Sequence, residues 1–286
     1  RTGGMAGKAD PRSGVLVSVA DLAAALEAGK HVVLLDVSDD LTTAPLERPV
    51  IPGAFAVSLA SDISGPPTKE GGRRPLPDIA VLQETVRGWG VHAESLVVVY
   101  DNAGGAQAGR AWWTFRWAGH ENVRLLDGGL KAWQAAGKPV ADQPQHIAGG
   151  GTVTLSAGHL PAMDADGAQR LSRRGILLDA RGKAAYEGEA GKPKTGHIPG
   201  AVCAPSAQTL DANGCFKSSE ELKAHFAALG ADGSVAAGVY CGSGNAASHL
   251  LAAMHVAGLE APLYVGSWSA WSEDPARPVA QGPEPG

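Results

Sequence analysis

Cys241 begins a short glycine-containing segment whose residue types suit a nucleophilic thiol. The segment joins a predicted strand to a predicted helix, and Gly242 and Gly244 let its backbone curl because they tolerate positive φ and carry no Cβ. A curled loop that enters a helix points several backbone N–H groups inward, and these donors stabilise an anion together with the positive end of the helix. The anion here is a Cys241 thiolate, or a persulfide formed on it. The predicted cradle of N–H groups consists of Gly242, Ser243, Gly244, Asn245, Ala246 and Ala247.

The alternative reading is that Cys241 is merely a small buried apolar residue. Cys203 and Cys215 fit that description better, since Cys203 follows an Ile-Pro-Gly-Ala turn and Cys215 follows an Asn-Gly turn. Three cysteines without a Cys-x-x-Cys pair exclude a disulfide framework and argue against structural zinc. His249 and His255 do not share one helical face, so no metal site is predicted.

The elements that must position Cys241 alternate along the chain as short apolar runs and segments with helical spacing. The predicted strands are residues 31–36, 95–100, 123–126, 175–179, 236–240 and 263–265, and the predicted helices are residues 79–88, 108–118, 219–229 and 246–257. Such alternation predicts an α/β fold with parallel sheets covered by helices on both faces. Cys241 therefore stands at the carboxyl end of a strand, where these sheets bind ligands.

Four features of the first half of the chain recur in the second half in the same order. The pairs are Asp36 with Asp179, Ile51 with Ile198, Asp101 with Cys241, and Trp133 with Trp271. All four separations are close to 140 residues (about half the chain), which predicts tandem domains rather than a solenoid. The Pro- and Gly-containing stretch 141–151 is the predicted linker, so the predicted domains are residues 10–142 and 152–280.

The overall composition excludes several classes of function. Apolar residues make up 44% of the 286, and the net charge is −5, so the chain can bury a core but lacks the basic surface of a nucleic-acid-binding protein. No apolar run approaches the length of a transmembrane helix. Residues 1–10 lack the apolar region of a signal peptide, and the cysteines are few, so we expect a cytoplasmic protein.

Taken together, these motifs resemble the two-domain rhodanese family of sulfurtransferases over about residues 15–275. The stretches that carry the resemblance are 177–181, 196–201, 241–244 and 266–271 in the second half, and 111–113 and 127–130 in the first. The resemblance implies two tandem rhodanese-like domains, each a parallel sheet flanked by helices. It further implies an active loop from Cys241 to Ala246, an inactive first domain with Asp101 at the equivalent position, and an active site where the domains meet.

The implied reaction is a double displacement that needs no metal and no organic cofactor. Cys241 takes a sulfur atom from a small donor as a persulfide and passes it to an acceptor such as cyanide, a small thiol or a thioredoxin-like protein. No nucleic acid or membrane partner is expected.

The loop that follows Cys241 is neutral and resembles the 3-mercaptopyruvate type more than the thiosulfate type, whose loop carries cations. Ser243 is either a hydrogen-bond donor to the substrate or a loop-capping hydroxyl. Two family features are missing, because Ala185 replaces an arginine that clamps the substrate carboxylate, and Val50 replaces a histidine before the first Ile-Pro-Gly-Ala turn. The donor therefore stays open between 3-mercaptopyruvate and thiosulfate.

Other cations and aromatic residues are candidates for the neighbourhood of the site. Arg181, Lys192 and Lys194 are the candidates for binding the donor's anion, against the alternatives of surface charge or, for Arg181, a structural ion pair. Arg110 is a candidate for the domain interface. Trp268 and Trp271 are candidates for lining the pocket.

Two other readings compete with a sulfurtransferase. Cysteine phosphatases on a related fold need Cys-x5-Arg, and Ala247 occupies the position of that arginine, so phosphoryl chemistry is excluded. A persulfide carrier or interaction module with little turnover of small donors remains the alternative.

Overall fold

The computed structural model describes residues 10–42, 48–145 and 148–286. The first half contains a five-stranded parallel sheet in the order β1-β5-β4-β2-β3. Its strands are β1 (Leu16–Val17), β2 (Val32–Ser38), β3 (Phe55–Ser58), β4 (Leu96–Tyr100) and β5 (Val123–Leu126). Its helices are α1 (Pro11–Val15), α2 (Val19–Glu27), α3 (Ile79–Gly88), α4 (Ala106–Trp117) and α5 (Gly129–Ala135), with a π-helical turn over Leu59–Ile63.

The second half contains a parallel sheet in the equivalent order, β6-β10-β9-β7-β8. Its strands are β6 (Ala162–Met163), β7 (Ile176–Asp179), β8 (Val202–Cys203), β9 (Ala237–Tyr240) and β10 (Leu263–Tyr264). Its helices are α6 (Ala165–Arg174), α7 (Lys183–Glu187), α8 (Ser219–Ala228), α9 (Asn245–Val256) and α10 (Ser267–Trp271), with a 3-10 turn over Ser206–Thr209. The two sheets confirm the predicted fold class and the repeat.

Local sequence signals account for the boundaries of several elements. Ser218 accepts the N–H of Glu221, whose carboxylate accepts the Ser218 N–H, and this capping box starts α8. Asp78 caps the N-terminus of α3 by accepting two backbone N–H groups from the first turn of that helix. The central strands form because their apolar side chains are buried on both faces, as at Leu34 and Leu35.

Each domain fastens its Ile-Pro-Gly-Ala turn to the end of a central strand in the same way. The hydroxyl of Tyr100 accepts the N–H of Ile51, and the hydroxyl of Tyr240 accepts the N–H of Ile198, both at 3.0 Å. In each domain, the tyrosine that ends the central strand is therefore hydrogen-bonded to the Ile-Pro-Gly-Ala turn.

The two domains meet along α4 and α9, the helices that follow the two equivalent loops. Gly109 lies so close to α9 that a Cβ at this position would stand 2.8 Å from the backbone nitrogen of His249. Glycine is therefore required for the helices to approach this closely. The helix contact places the ends of β4 and β9 beside the domain interface.

The predicted linker is hydrogen-bonded to the first domain. Gly149 and Gly151 donate backbone hydrogen bonds to residues 88 and 87, and Thr152 donates one to Val91. Residues 146 and 147 of this stretch lie outside the described residues. The exact domain bounds stay a prediction. Within the described ranges, none of the helices is both long and apolar enough to cross a membrane.

Candidate functional site

Cys241 directly follows β9 and its side chain is buried. Its backbone N–H donates to the hydroxyl oxygen of Ser267 at 3.1 Å, and its carbonyl accepts the N–H of Trp268 at 2.8 Å. The Ser267 hydroxyl in turn donates to the carbonyl of Tyr264 at 2.7 Å. Hydrogen bonds to the start of α10 therefore fix both sides of the Cys241 backbone.

The predicted N–H cradle lies at the start of α9. The backbone N–H of Gly244 donates to the sulfur of Cys241 at 3.0 Å. Gly244 has φ of 92°, which is the left-handed conformation that glycine adopts without strain, and α9 begins at the next residue. The N–H groups of Asn245, Ala246 and Ala247 belong to the first helical turn, which has no intrahelical acceptors for them. The loop thus brings its sulfur to a helix N-terminus, as the sequence predicts.

Ser267 holds an unusual backbone conformation beside Cys241. Its φ of 53° lies in the left-handed region, and it is the one non-glycine residue with positive φ in the described ranges. This conformation costs a residue with a Cβ about 1–2 kcal/mol. The strain places the Ser267 hydroxyl where it accepts the N–H of Cys241.

The first domain contributes the fully buried Arg110 of α4 to the underside of the loop. Arg110 donates to the carbonyl of Ser243 at 3.1 Å and to the carbonyl of Arg74 at 2.6 Å. Burial lowers the pKa of Arg110 to about 10, and Arg74 acts in the same direction, whereas attraction to Cys241 opposes the fall. The guanidinium is therefore a buried cation at the interface, where it is attracted to an anionic sulfur. Arg110 therefore lies at the domain interface, as the sequence predicts.

Sequence reasoning missed a second arginine of the first domain that reaches the loop. The Nη2 of Arg73 donates to the hydroxyl oxygen of Ser243 at 3.1 Å. Ser243 therefore does not cap its own loop through this contact but faces the other domain. The only sequence signal was the pair Arg73-Arg74 in a segment rich in glycine and proline. Nothing in that segment indicates which residues of the second domain it contacts.

The three predicted anion-binding candidates lie in ion pairs. Arg181 pairs with the buried Asp179 at 2.8 Å, donates to the carbonyl of Gly196, and stacks 4.8 Å from the ring of Trp268. Lys192 and Lys194 are exposed, and their ammonium groups pair with Glu189 at 2.6 Å and Glu273 at 3.0 Å, respectively. The structural ion pair that was the alternative for Arg181 is present.

The loop after β4 is the first domain's counterpart of the Cys241 loop. The Asp101 carboxylate accepts the N–H groups of Ala103 at 3.0 Å, Gly105 at 2.9 Å and Ala108 at 2.9 Å. Burial raises the pKa of Asp101, while these hydrogen bonds oppose the rise. The carboxylate therefore already occupies the N–H groups that could bind an external anion. A cavity of about 390 Å³ borders this loop and includes His249 and Phe216 of the second domain.

Cys203 and Cys215 lie in surroundings that favour the neutral thiol. Burial raises the pKa of both thiols, and nearby carboxylates add to the effect, Asp179 at Cys203 and Asp127 at Cys215.

His249 shares a hydrogen bond with the Ser206 hydroxyl and stacks on Phe216, and burial lowers its pKa to about 4. No cluster of metal-binding side chains occurs in the part of the chain that the structure describes.

The model of the rhodanese-like domain matches the chain twice, at residues 18–136 and 163–274. The chain belongs to the rhodanese-like family. This match confirms the resemblance that the motifs indicate.

Curated relatives of this family member cover most of its length. SseB of Mycobacterium tuberculosis, provisionally named a thiosulfate sulfurtransferase, is 41% identical over 282 residues, which span 95% of this chain and 98% of SseB. A Pseudomonas aeruginosa protein, provisionally named a 3-mercaptopyruvate sulfurtransferase, is 43% identical over 249 residues, which span 81% of this chain and 84% of that protein. The sulfur carrier protein TtuD of Thermus thermophilus is 30% identical over 274 residues, spanning 88% and 92%.

Solved structures share the fold at lower identity. YnjE superimposes with a TM-score of 0.81 at 23% identity, covering 96% of this chain and 70% of YnjE. EanB, in a state with a cysteine persulfide and ergothioneine, superimposes with a TM-score of 0.79 at 22% identity, covering 95% and 71%. These similarities support the fold of the rhodanese-like family member.

Proposed function

We propose that this protein is a sulfurtransferase that carries sulfur as a persulfide on Cys241. The observation that carries the proposal is the sulfur of Cys241, which accepts an N–H at the start of α9 and lies beside a buried cation of the other domain. Both features favour an anionic sulfur. The names of the relatives from M. tuberculosis and P. aeruginosa support the same reaction.

In the first half-reaction, the Cys241 thiolate attacks the transferable sulfur of the donor and forms an S–S bond. The bond between that sulfur and the rest of the donor breaks, and its electron pair leaves with the donor. Thiosulfate then releases sulfite, whereas 3-mercaptopyruvate releases an enolate that takes up a proton to give pyruvate. In both cases the enzyme holds the same persulfide.

In the second half-reaction, a nucleophilic acceptor attacks the outer sulfur of the persulfide, and the S–S electron pair returns to Cys241 as the thiolate. Cyanide gives thiocyanate, and a small thiol or a thioredoxin-like protein gives its own persulfide. The N–H groups from Gly242 to Ala247 hold the anionic sulfur between the two steps. The protein's own groups suffice for this chemistry, so the proposal includes no metal and no organic cofactor.

The proposal assigns the two domains different roles. The second domain, predicted as residues 152–280, carries the reacting sulfur, and the first, predicted as residues 10–142, carries none. Cys241 must return to a free thiol after each turnover, which suits a reducing compartment such as the cytoplasm.

A sulfur carrier is the second candidate function, because the chain is 30% identical to the carrier TtuD. A carrier would form the Cys241 persulfide but would turn over small donors poorly. Arg181, Lys192 and Lys194 lie in ion pairs, which leaves the donor without those anchors and keeps this candidate open.

The test is steady-state thiocyanate formation with thiosulfate or 3-mercaptopyruvate as donor. We expect C241S to lose at least about three orders of magnitude in turnover, because serine is a far weaker nucleophile at neutral pH. C203S and C215S are the matched controls and should keep wild-type turnover. Equal activity of C241S and wild type would overturn the proposal. Persulfide formation without turnover would favour the carrier.

A further inference from the structure

Within the described ranges, Arg73 is the one residue of the first domain whose side chain forms a hydrogen bond with the Ser243 hydroxyl. Its backbone is anchored independently, because the Arg73 N–H donates to the hydroxyl oxygen of Ser269 at 3.0 Å. Arg73 therefore stands beside the Cys241 loop through two contacts with the second domain.

The residue before Arg73 shows how closely this segment docks. A Cβ at Gly72 would stand 2.4 Å from the Ser269 hydroxyl oxygen and 2.5 Å from the carbonyl of Gly266. Gly72 also has φ of 73° and exchanges two backbone hydrogen bonds with Thr68, at 3.1 and 2.9 Å. The tight turn Thr68–Gly72 thus presses against the start of α10 and sets the position of the arginine that follows it.

The charge of Arg73 is available for a ligand. Within the described ranges no carboxylate pairs with it, whereas the adjacent Arg74 pairs with Asp39 at 2.9 Å. The Arg73 side chain is exposed, and only one of its N–H groups is committed to Ser243. A guanidinium has five N–H groups in a planar fork that matches a carboxylate or a sulfonate-like group with two hydrogen bonds.

The contact with Arg73 also leaves the Ser243 hydroxyl ready for a ligand. Because the Ser243 oxygen accepts from Arg73, its own hydrogen can be donated to a second group. Arg73 and Ser243 together therefore offer several donors at the loop that begins with Cys241. The loop itself offers no cation.

We propose that Arg73 binds the anionic end of the sulfur donor, so that a first domain without a reacting sulfur supplies the cation that selects anionic donors. The inference rests on the proposed sulfurtransferase function and assigns its substrate class. Thiosulfate and 3-mercaptopyruvate share this chemistry, since both carry a negative group beyond the transferable sulfur. Arg73 is a binding residue and takes no proton.

The test compares alkylation of Cys241 by anionic iodoacetate and by neutral iodoacetamide, in C203S/C215S protein to restrict labelling to Cys241. We expect the ratio of the two rates to fall by about tenfold in R73Q, because only the anionic reagent gains from the cation. R73K should keep most of the ratio. R174Q is the matched control, since Arg174 is exposed and ends α6 just before the amino end of β7, whereas Cys241 follows the carboxyl end of β9.

The ratio cancels any change in the amount of thiolate, which alters both rates equally. A ratio in R73Q within twofold of the wild-type ratio would overturn the proposal. The donors are then separated by KM, which should rise in R73Q for whichever of the two anionic donors the wild type uses. A fall of the ratio in R73Q without any sulfur transfer by the wild type would overturn the sulfurtransferase and leave Arg73 as an anion-binding residue.

Discussion

The loops after β4 and β9 occupy the same place in the two domains but treat their N–H groups differently. Asp101 fills its own cradle with a carboxylate that accepts three backbone N–H groups. Cys241 accepts one, from Gly244, and leaves the first turn of α9 for an external anion or an added sulfur. The loop is therefore a closed structural unit in the first domain and, in the proposed function, an open binding site in the second.

The backbone that supports each loop differs at one position. Leu130 N–H donates to the Asp101 carbonyl, and Trp268 N–H donates equivalently to the Cys241 carbonyl. The residue before each donor has positive φ, 64° at Gly129 and 53° at Ser267. The second domain thus uses a strained serine where the first uses an unstrained glycine. The strain lies where the Ser267 hydroxyl accepts the backbone N–H of Cys241.

Replacement of Arg110 tests whether the first domain acts electrostatically on the second. We expect R110M to lower turnover by on the order of a hundredfold, because the loop loses both a buried cation and the hydrogen bond to the Ser243 carbonyl. The rate of Cys241 alkylation by iodoacetamide is the second readout and should fall as well. Urea unfolding separates this effect from a loss of stability, because R110M also leaves the carbonyls of Ser243, Arg74 and Pro75 without their buried donor. A folded R110M with wild-type alkylation and turnover would contradict this role.

Two variants at Ser267 separate strain from hydrogen bonding. S267A keeps the left-handed strain and loses the acceptor for the Cys241 N–H, so we expect a loss of about 2–3 kcal/mol of folding free energy. S267G loses the same acceptor but relieves the strain, and should be about 1 kcal/mol more stable than S267A. Urea unfolding measures both. Equal stability of the two variants would show that Ser267 is not strained.

Replacement of Asp101 tests whether its carboxylate is structural. We expect D101N to be less stable by about 1–2 kcal/mol, because the amide nitrogen cannot accept the N–H groups of the loop. Turnover at saturating donor should stay within about twofold of wild type, since the N–H groups around Cys241 are unchanged. A D101N chain that unfolds normally but has lost sulfur transfer would mean that the two loops do not have separate roles.

The smallest expected effect concerns pH and His249, which lies on α9 and close to Gly105 of the first domain. Burial lowers the pKa of His249 and of His255 to about 4, below the unfolded value, so the unfolded chain takes up more protons as pH falls. Stability should therefore decrease between about pH 6.5 and pH 4. At pH 5.5 each of the two histidines should lower the free energy of unfolding by about 1 kcal/mol.

Urea unfolding of wild type and H249Q at pH 7.5 and 5.5 measures this difference. H249Q should show a smaller pH dependence than wild type. An unchanged dependence would place the titration elsewhere.

The sequence was sufficient for features with strong local signals. The strands 32–38, 96–100 and 237–240 have buried apolar runs, and Cys241 lies between a strand and a glycine that starts a helix. Both sheets, the repeat and the position of the sulfur follow from these runs. The two-residue strands β1, β6 and β8 were missed because they are too short to show any alternation, and the four-residue β3 was missed as well.

The supporting residues of the site could not be found from local signals. Arg73 and Ser243 are 170 residues apart, and only the docking of the domains brings them together. The left-handed Ser267 gives no sequence signal, because such a conformation is imposed by surrounding structure. Arg181, Lys192 and Lys194 have the right charge, but nearby carboxylates, which the sequence does not place in space, pair with them.

The central claim is that sulfur is held on Cys241 and not on the other thiols. Peptide mass spectrometry after incubation with thiosulfate, and separately with 3-mercaptopyruvate, tests it most directly. The account predicts one added sulfur atom per chain, located on the Cys241 peptide, and its removal by cyanide. Sulfur on the Cys203 or Cys215 peptide, or no added sulfur with either donor, would contradict it.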